Sequence, residues 1–256
     1  MKRIIFSIYT STVDEHNSST DYKKSQFEKY KSQLKQSQKD YATLCGADYS
    51  LIETSETNYD QIQIDKLTKL QELTDEYDEV LYLDFDVIPK TKINIFENFD
   101  TKKICAYSIH RELNTKKFNW ELEDNNFHSL DVWVKCSIKK AMLLLDDITG
   151  ADTLINTGVV LGSKESIKRL DWIGRLDECL KVYAEALEDN VYPDEVSRVW
   201  IPNNEAFFSY LIERYNIPMI NIGISWNYIL NQDITTYTDA VHFIHQVNKD
   251  FEVGLV

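Results

Sequence analysis

Asp84 and Asp86 stand one residue apart in the stretch Leu81-Tyr82-Leu83-Asp84-Phe85-Asp86-Val87-Ile88-Pro89. The run Val80 to Leu83 before them is wholly apolar, which reads as a strand buried on both faces, as in a parallel sheet. Side chains alternate along a strand, so both aspartates are expected to point the same way at its carboxyl end, with Pro89 ending it. Two carboxylates on one face repel each other as bare anions. A hard divalent cation, Mn²⁺ or Mg²⁺, removes that cost and keeps positions open for phosphate oxygens. Ligands of open α/β sheets sit at the carboxyl ends of strands. The expectation is a metal site that grips a diphosphate. A surface turn can carry the same pair, but the apolar strand before it and Val-Ile-Pro after it argue against a solvated turn.

The 256 residues are 43% hydrophobic, enough for the core of one large α/β domain or two small ones. With Gly at 7 and Pro at 4, long disordered linkers are not expected. A net charge of −14 argues against nucleic acid as a partner. It leaves room for a nucleotide, if a metal and one or two lysines supply local positive charge. Cys45, Cys105, Cys136 and Cys179 form no C-x-x-C pair, so buried reduced thiols and a cytoplasmic setting are expected. The apolar run Ile4 to Phe6 is too short for a signal peptide or membrane span.

The elements that must position the aspartates can be read in order. Ile4 to Tyr9 is a first strand, followed by a polar loop, Thr10 to Thr20. Nucleotide-binding α/β folds contact base or ribose at such a junction, which singles out Tyr9 and Thr10, although an ordinary surface loop reads the same way. Residues 21 to 45 carry a helical stripe ending at Gly46, and Tyr49 to Glu53 is a second strand. A helix over 61 to 76 places Lys66 inside its apolar stripe of Ile62, Leu70 and Leu73. A lysine there must snorkel out or find an anion.

Further on, Lys103 to Ile109 is a strand. Residues 110 to 130 are irregular and rich in aromatics, such as Trp120 and Phe127, fitting a lid, a sugar-stacking surface or core plugs. Val132 to Leu145 is apolar and ambiguous between strand and helix. In the strand Leu154 to Gly162, Asn156 and Gly158 interrupt apolar residues, and a glycine there often marks close approach by a ligand or backbone. Ser163 caps one long amphipathic helix running to Leu187. Asn203, Asn204 and Glu205 open another helix, where capping alone would explain an Asn. Met219 to Ile222 is a strand. His242 and His245 lie in a last one, Ala240 to His245, facing opposite ways if it is regular.

In this order the landmarks resemble glycosyltransferases of the GT-A fold, and among them the family 8 retaining enzymes that include glycogenin and bacterial lipopolysaccharide galactosyltransferases. LYLDFDVIP is similar to the family's D-x-D strand, INTGVVLGS to its N-x-G-V-x-L strand and PNNEAFF to its D-Q-x-x-x-N helix start. SWNYI and VHFIHQVNK resemble its W-N segment and its closing V-H-F-x-G-x-x-K. The resemblance implies a single GT-A domain over 1–256, with a mixed central sheet flanked by helices, a nucleotide-binding half (1–110) and an acceptor-binding half (111–256). It implies Asp84, Asp86 and His242 as ligands of Mn²⁺ or Mg²⁺, with His245 the other candidate histidine. Tyr9, Thr10, Lys66, Asp84, Phe85, Asn156 and Gly158 would bind the donor. The family's Asp-Gln is Asn203-Asn204 here, its closing glycine is His245, and its ending is reduced to Lys249.

The reaction so implied moves a hexose, from UDP-glucose or UDP-galactose first of all, to a hydroxyl on a carbohydrate or glycan acceptor. Retention would leave Asn204 or a substrate oxygen to stabilise the front face, and inversion would need Glu205 as base. Two other readings remain. One is a phosphatase of the haloacid-dehalogenase type, with Asp84 as nucleophile, Asp86 as general acid and Asp146-Asp147 as a later metal pair. The other is a non-catalytic nucleotide-sugar-binding module.

Overall fold

The molecule is described from a computed structural model at residues 1–10, 20–56, 58–110, 127–189, 192, 197–230, 241–246 and 251–255. The loop 11–19, most of the aromatic segment at 111–126, and Lys249 lie outside the described residues.

Short apolar runs become strands, and periodic ones become helices. The chain runs β1 (Arg3–Thr10), α1 (Thr20–Cys45), β2 (Asp48–Thr54), α2 (Tyr59–Glu72), β3 (Glu79–Leu83), β4 (Val87–Pro89), α3 (Ile95–Asn98) and β5 (Ile104–His110). It continues with α4 (Phe127–Leu144), β6 (Thr153–Ser163), α5 (Lys164–Leu170), α6 (Trp172–Glu188), α7 (Asn204–Arg214), β7 (Met219–Asn221), β8 (Tyr228–Leu230), β9 (Phe243–Gln246) and α8 (Glu252–Leu255). Six strands form a mixed sheet in the order β2-β1-β3-β6-β5-β7, and β4-β9-β8 form a small second sheet. β1 is parallel to β2 and β3, whereas β6 is antiparallel to β3 and β5.

Strand alternation builds the two faces. Ile4, Phe6, Val80 and Tyr82 pack under α2 and the α4–α7 group. Ile5, Leu81 and Leu83 pack on the other face with Tyr41 of α1, Phe96 of α3, Val87 and Phe243. The four cysteines are free and buried. Burial pushes the Cys105 and Cys179 thiols up to about 12, so they are poor nucleophiles. No helix among the described residues is long and apolar enough to cross a membrane.

One open reading is decided and two local expectations are revised. Of the stretch 132–145, left open between strand and helix, all but Leu145 lies in helix α4. The long helix after Ser163 is two helices, because Asp171 turns left-handed at φ 49° between α5 and α6. The aspartates are not in a strand: β3 stops at Leu83, and Asp84-Phe85-Asp86 forms a tight turn closed by Val87 N–H donating to Asp84 O at 2.9 Å.

Candidate active site

That turn carries the chain from the main sheet to the small one, with the aspartates between the two. Gln38, fully buried on α1, pins it. Its Nε2 donates to Asp84 O (3.0 Å) and Val87 O (2.9 Å), while its Oε1 accepts from Ser7 Oγ (2.6 Å) and Tyr49 OH (3.0 Å). The Asp84 N–H donates to Gly158 O at 2.8 Å, tying the turn to β6. Pairing of β4 with β9 sets His245 opposite Val87. His245 Nε2 then lies 3.5 Å from Asp84 Oδ2 and 3.4 Å from Asp86 Oδ1.

One ligand atom each from Asp84, Asp86 and His245 lies within 4.8 Å of the others. Two carboxylates and an imidazole suit Mn²⁺ or Mg²⁺. Gly158 makes room for the ring: a Cβ there would stand 2.7 Å from His245 Cε1. These features fit a divalent cation. On the open side, the other carboxylate oxygen, Asp84 Oδ1, accepts from Tyr82 OH (2.6 Å) and meets Lys66 Nζ at 3.3 Å. Asp86 and His245 are buried, while the Asp84 side chain is 23% exposed, so the cluster opens to solvent at Asp84.

His242 is turned elsewhere. Its Nδ1 is 3.2 Å from Thr91 Oγ1, and its ring lies 4.3 Å from that of Trp226. The resemblance placed His242 on the metal, but it is His245 that stands beside the aspartates, because β9 begins only at Phe243 and its pairing with β4 turns His245 toward them. Tyr9 and Phe85 pack ring to ring at 5.0 Å, with Lys31 Nζ 4.2 Å over Tyr9. Thr10 donates to Glu56 O at 3.0 Å.

Beside the aspartates, β6 runs past the end of β3, whose last residue pairs with Val159. The main-chain donors beyond that point need other partners. Helix α7 supplies them: Ile155 N–H donates to Ser209 Oγ (2.9 Å) and Thr157 N–H to Glu205 Oε1 (3.2 Å). Asn203 caps the helix, accepting from Glu205 N–H (2.9 Å), and Asn204 Nδ2 donates to Thr157 Oγ1 (2.8 Å). Glu205 Oε2 accepts from Lys135 Nζ of α4 at 2.8 Å. Burial raises the Glu205 carboxyl, but Lys135, Lys66 and the Thr157 N–H outweigh it and hold the group below its ordinary range. Glu205 is therefore a buried, paired anion with both oxygens engaged.

Gln38, Lys135 and Asn227 were missed from sequence. Lys135 and Lys139 interrupt an apolar helix just as Lys66 does, and the same pattern would have found them. Asn227 lay in the W-N segment without a role being read for it, and Gln38 carries no such signal.

The fold built around this site is that of the GT-A glycosyltransferases. No protein-family model matches the sequence, and no curated protein matches it. Among solved structures, the chain is similar to a glycosyltransferase involved in glycosylation of the major capsid of PBCV-1, with TM-score 0.52, 14% identity and 100% of both chains covered. It is also similar to the galactosyltransferase LgtC in complex with donor and acceptor sugar analogues, with TM-score 0.50, 12% identity, and 96% of this chain and 87% of that one covered. The likeness to glycosyltransferases, including one of family 8, extends over nearly the whole chain.

Proposed function

We propose that the protein is a metal-dependent glycosyltransferase. It takes a hexosyl group from a nucleoside diphosphate sugar, with UDP-glucose and UDP-galactose the first candidates, to a hydroxyl of a carbohydrate acceptor. The observation that carries this is the convergence of Asp84, Asp86, His245 and Lys66 where β3 ends, in a chain with the glycosyltransferase fold. Asp84, Asp86 and His245 would hold Mn²⁺ or Mg²⁺, which supplies charge neutralisation for the departing diphosphate. Lys66 adds a fixed cation on the same side. A nucleoside would lie beside the end of β1, over Thr10 and the packed pair Tyr9 and Phe85, and Asn156 and Gly158 would border the sugar and diphosphate. The donor half, 1–110, borrows Asn156, Gly158 and His245 from the acceptor half, 111–256.

The bond from the anomeric carbon to the diphosphate oxygen breaks, and a bond from that carbon to the acceptor oxygen forms. The acceptor proton leaves with the nucleoside diphosphate. Retention is the favoured course, because both oxygens of Glu205, the candidate base for inversion, are already engaged, Oε2 by Lys135 and Oε1 by the Thr157 N–H, and neither is left to take a proton from an acceptor. Asn204, hydrogen-bonded to Thr157, orients the sugar face. The phosphatase alternative finds little support, since Asp146 pairs with Arg214 (2.8 Å) and Tyr210 (3.1 Å). The buried thiols accord with a cytoplasmic setting.

The test is release of nucleoside diphosphate from UDP-glucose, UDP-galactose and GDP-mannose, with Mn²⁺ and with EDTA. Metal-dependent release from one donor is the expected result. Hydrolysis of a simple phosphomonoester without turnover of any sugar nucleotide would overturn the reading.

A further inference from the structure

Behind the carboxylates, a chain of buried amides leads from the main chain of β6 to the far nitrogen of His245. Gly158 N–H donates to Asn156 Oδ1 at 2.9 Å. A main-chain N–H can only donate, so the atom it meets must be the amide oxygen. The same oxygen accepts from Asn227 Nδ2 at 2.7 Å. With its Nδ2 committed to that oxygen, the buried Asn227 presents its other end, Oδ1, to His245 Nδ1 at 3.1 Å. An oxygen acceptor at Nδ1 requires the proton to sit there. The neutral ring then carries its lone pair on Nε2, the nitrogen facing Asp84 and Asp86.

We propose that Asn227 is a positioning residue that fixes the Nδ1–H tautomer of His245, through a hydrogen-bond chain anchored on the Gly158 N–H. The inference rests on the reading of Asp84, Asp86 and His245 as a cation site. With the opposite tautomer, Nε2–H would donate to the carboxylates and satisfy the cluster without metal. With this one, Nε2, Asp84 Oδ2 and Asp86 Oδ1 converge as three lone-pair donors, an arrangement a cation completes. Gly158 serves both arms. Its N–H starts the amide chain, its carbonyl holds Asp84 N–H, and its missing Cβ leaves space for the ring.

The test combines nitrogen-15 NMR of the metal-free protein, in alkaline buffer where imidazoles are neutral, with Mn²⁺ titration followed by electron paramagnetic resonance. Wild type is expected to show His245 protonated on Nδ1. Asn227→Leu should shift the ring to Nε2–H and weaken Mn²⁺ binding about 10- to 100-fold. Asn156→Asp keeps an acceptor for both Gly158 and Asn227, so it should keep the tautomer and bind Mn²⁺ at least as well as wild type. Nε2–H in the wild type, or Asn227→Leu binding within about threefold of it, overturns the proposal. Should Asn227→Leu not fold, the wild-type spectrum and Asn156→Asp still decide. A wild type that shows Nδ1–H yet binds no Mn²⁺ upholds the hydrogen-bond chain and overturns the metal-dependent function.

Discussion

Two lysines are buried among the described residues, and they have opposite meanings. Lys139 on α4 is fully buried, and its ammonium is saturated: it donates to Ala151 O (2.7 Å), Thr153 O (2.7 Å) and the carboxylate of Glu213. It bolts α4 to the start of β6 and to α7. Lys66 on α2 is 2% exposed, yet among the described residues its Nζ meets only Asp84 Oδ1, at 3.3 Å, with the Tyr82 ring 5.3 Å away. Three well-placed acceptors make a structural pin. One long contact beside an open carboxylate leaves donors for an arriving anion. Burial is common to both, and hydrogen-bond saturation separates them.

The comparison breaks if the two respond alike to loss of charge. Lys139→Met strands Glu213 and two carbonyls, and should cost about 3 kcal/mol in urea unfolding while nucleotide binding by the folded fraction is unchanged. Lys66→Met should cost less stability than Lys139→Met, because Asp84 keeps the Tyr82 hydroxyl and solvent as partners. It should instead weaken Mn²⁺-dependent UDP binding about 10- to 100-fold, the worth of a charge-assisted hydrogen bond, as read by calorimetry. Gly158→Ala sharpens the contrast by disturbing geometry without charge. Its methyl meets the His245 ring, and a loss of about 1–3 kcal/mol together with weaker Mn²⁺ binding is expected.

The smallest effect concerns Glu205. Its carboxyl is held below the ordinary value of 4.5, so its stabilising contribution is complete above that pH and is lost as pH falls through the lower folded value. The melting-temperature gap between wild type and Glu205→Gln should therefore be widest near neutrality and close under acid. A gap that widens toward low pH would contradict the Lys135 pairing.

Most of the fold was legible, because apolar runs and helical stripes are local signals. β1, α1, β2, β5 and β6 fall within one residue of their expected bounds, and α2 starts two residues before its expected range and ends four short of it. The site was less so. The D-x-D pair could be seen, but not that a turn separates β3 from β4, since Val87 and Ile88 are as apolar as the strand before them. Choosing between His242 and His245 depends on where β9 starts and on its pairing with β4, a contact between residues some 150 apart in sequence. Asn227 and Gln38 act through hydrogen bonds to residues distant in the chain, and no periodicity marks them.

The central claim is that the Asp84, Asp86 and His245 cluster binds a nucleoside diphosphate through a divalent cation. Calorimetric titration of UDP, with Mn²⁺ and then with EDTA, into wild type and Asp86→Ala tests it directly. The account predicts saturable binding for wild type with Mn²⁺, its loss in EDTA, and its absence in Asp86→Ala. Equal binding of UDP in EDTA, or full binding by Asp86→Ala, would contradict it.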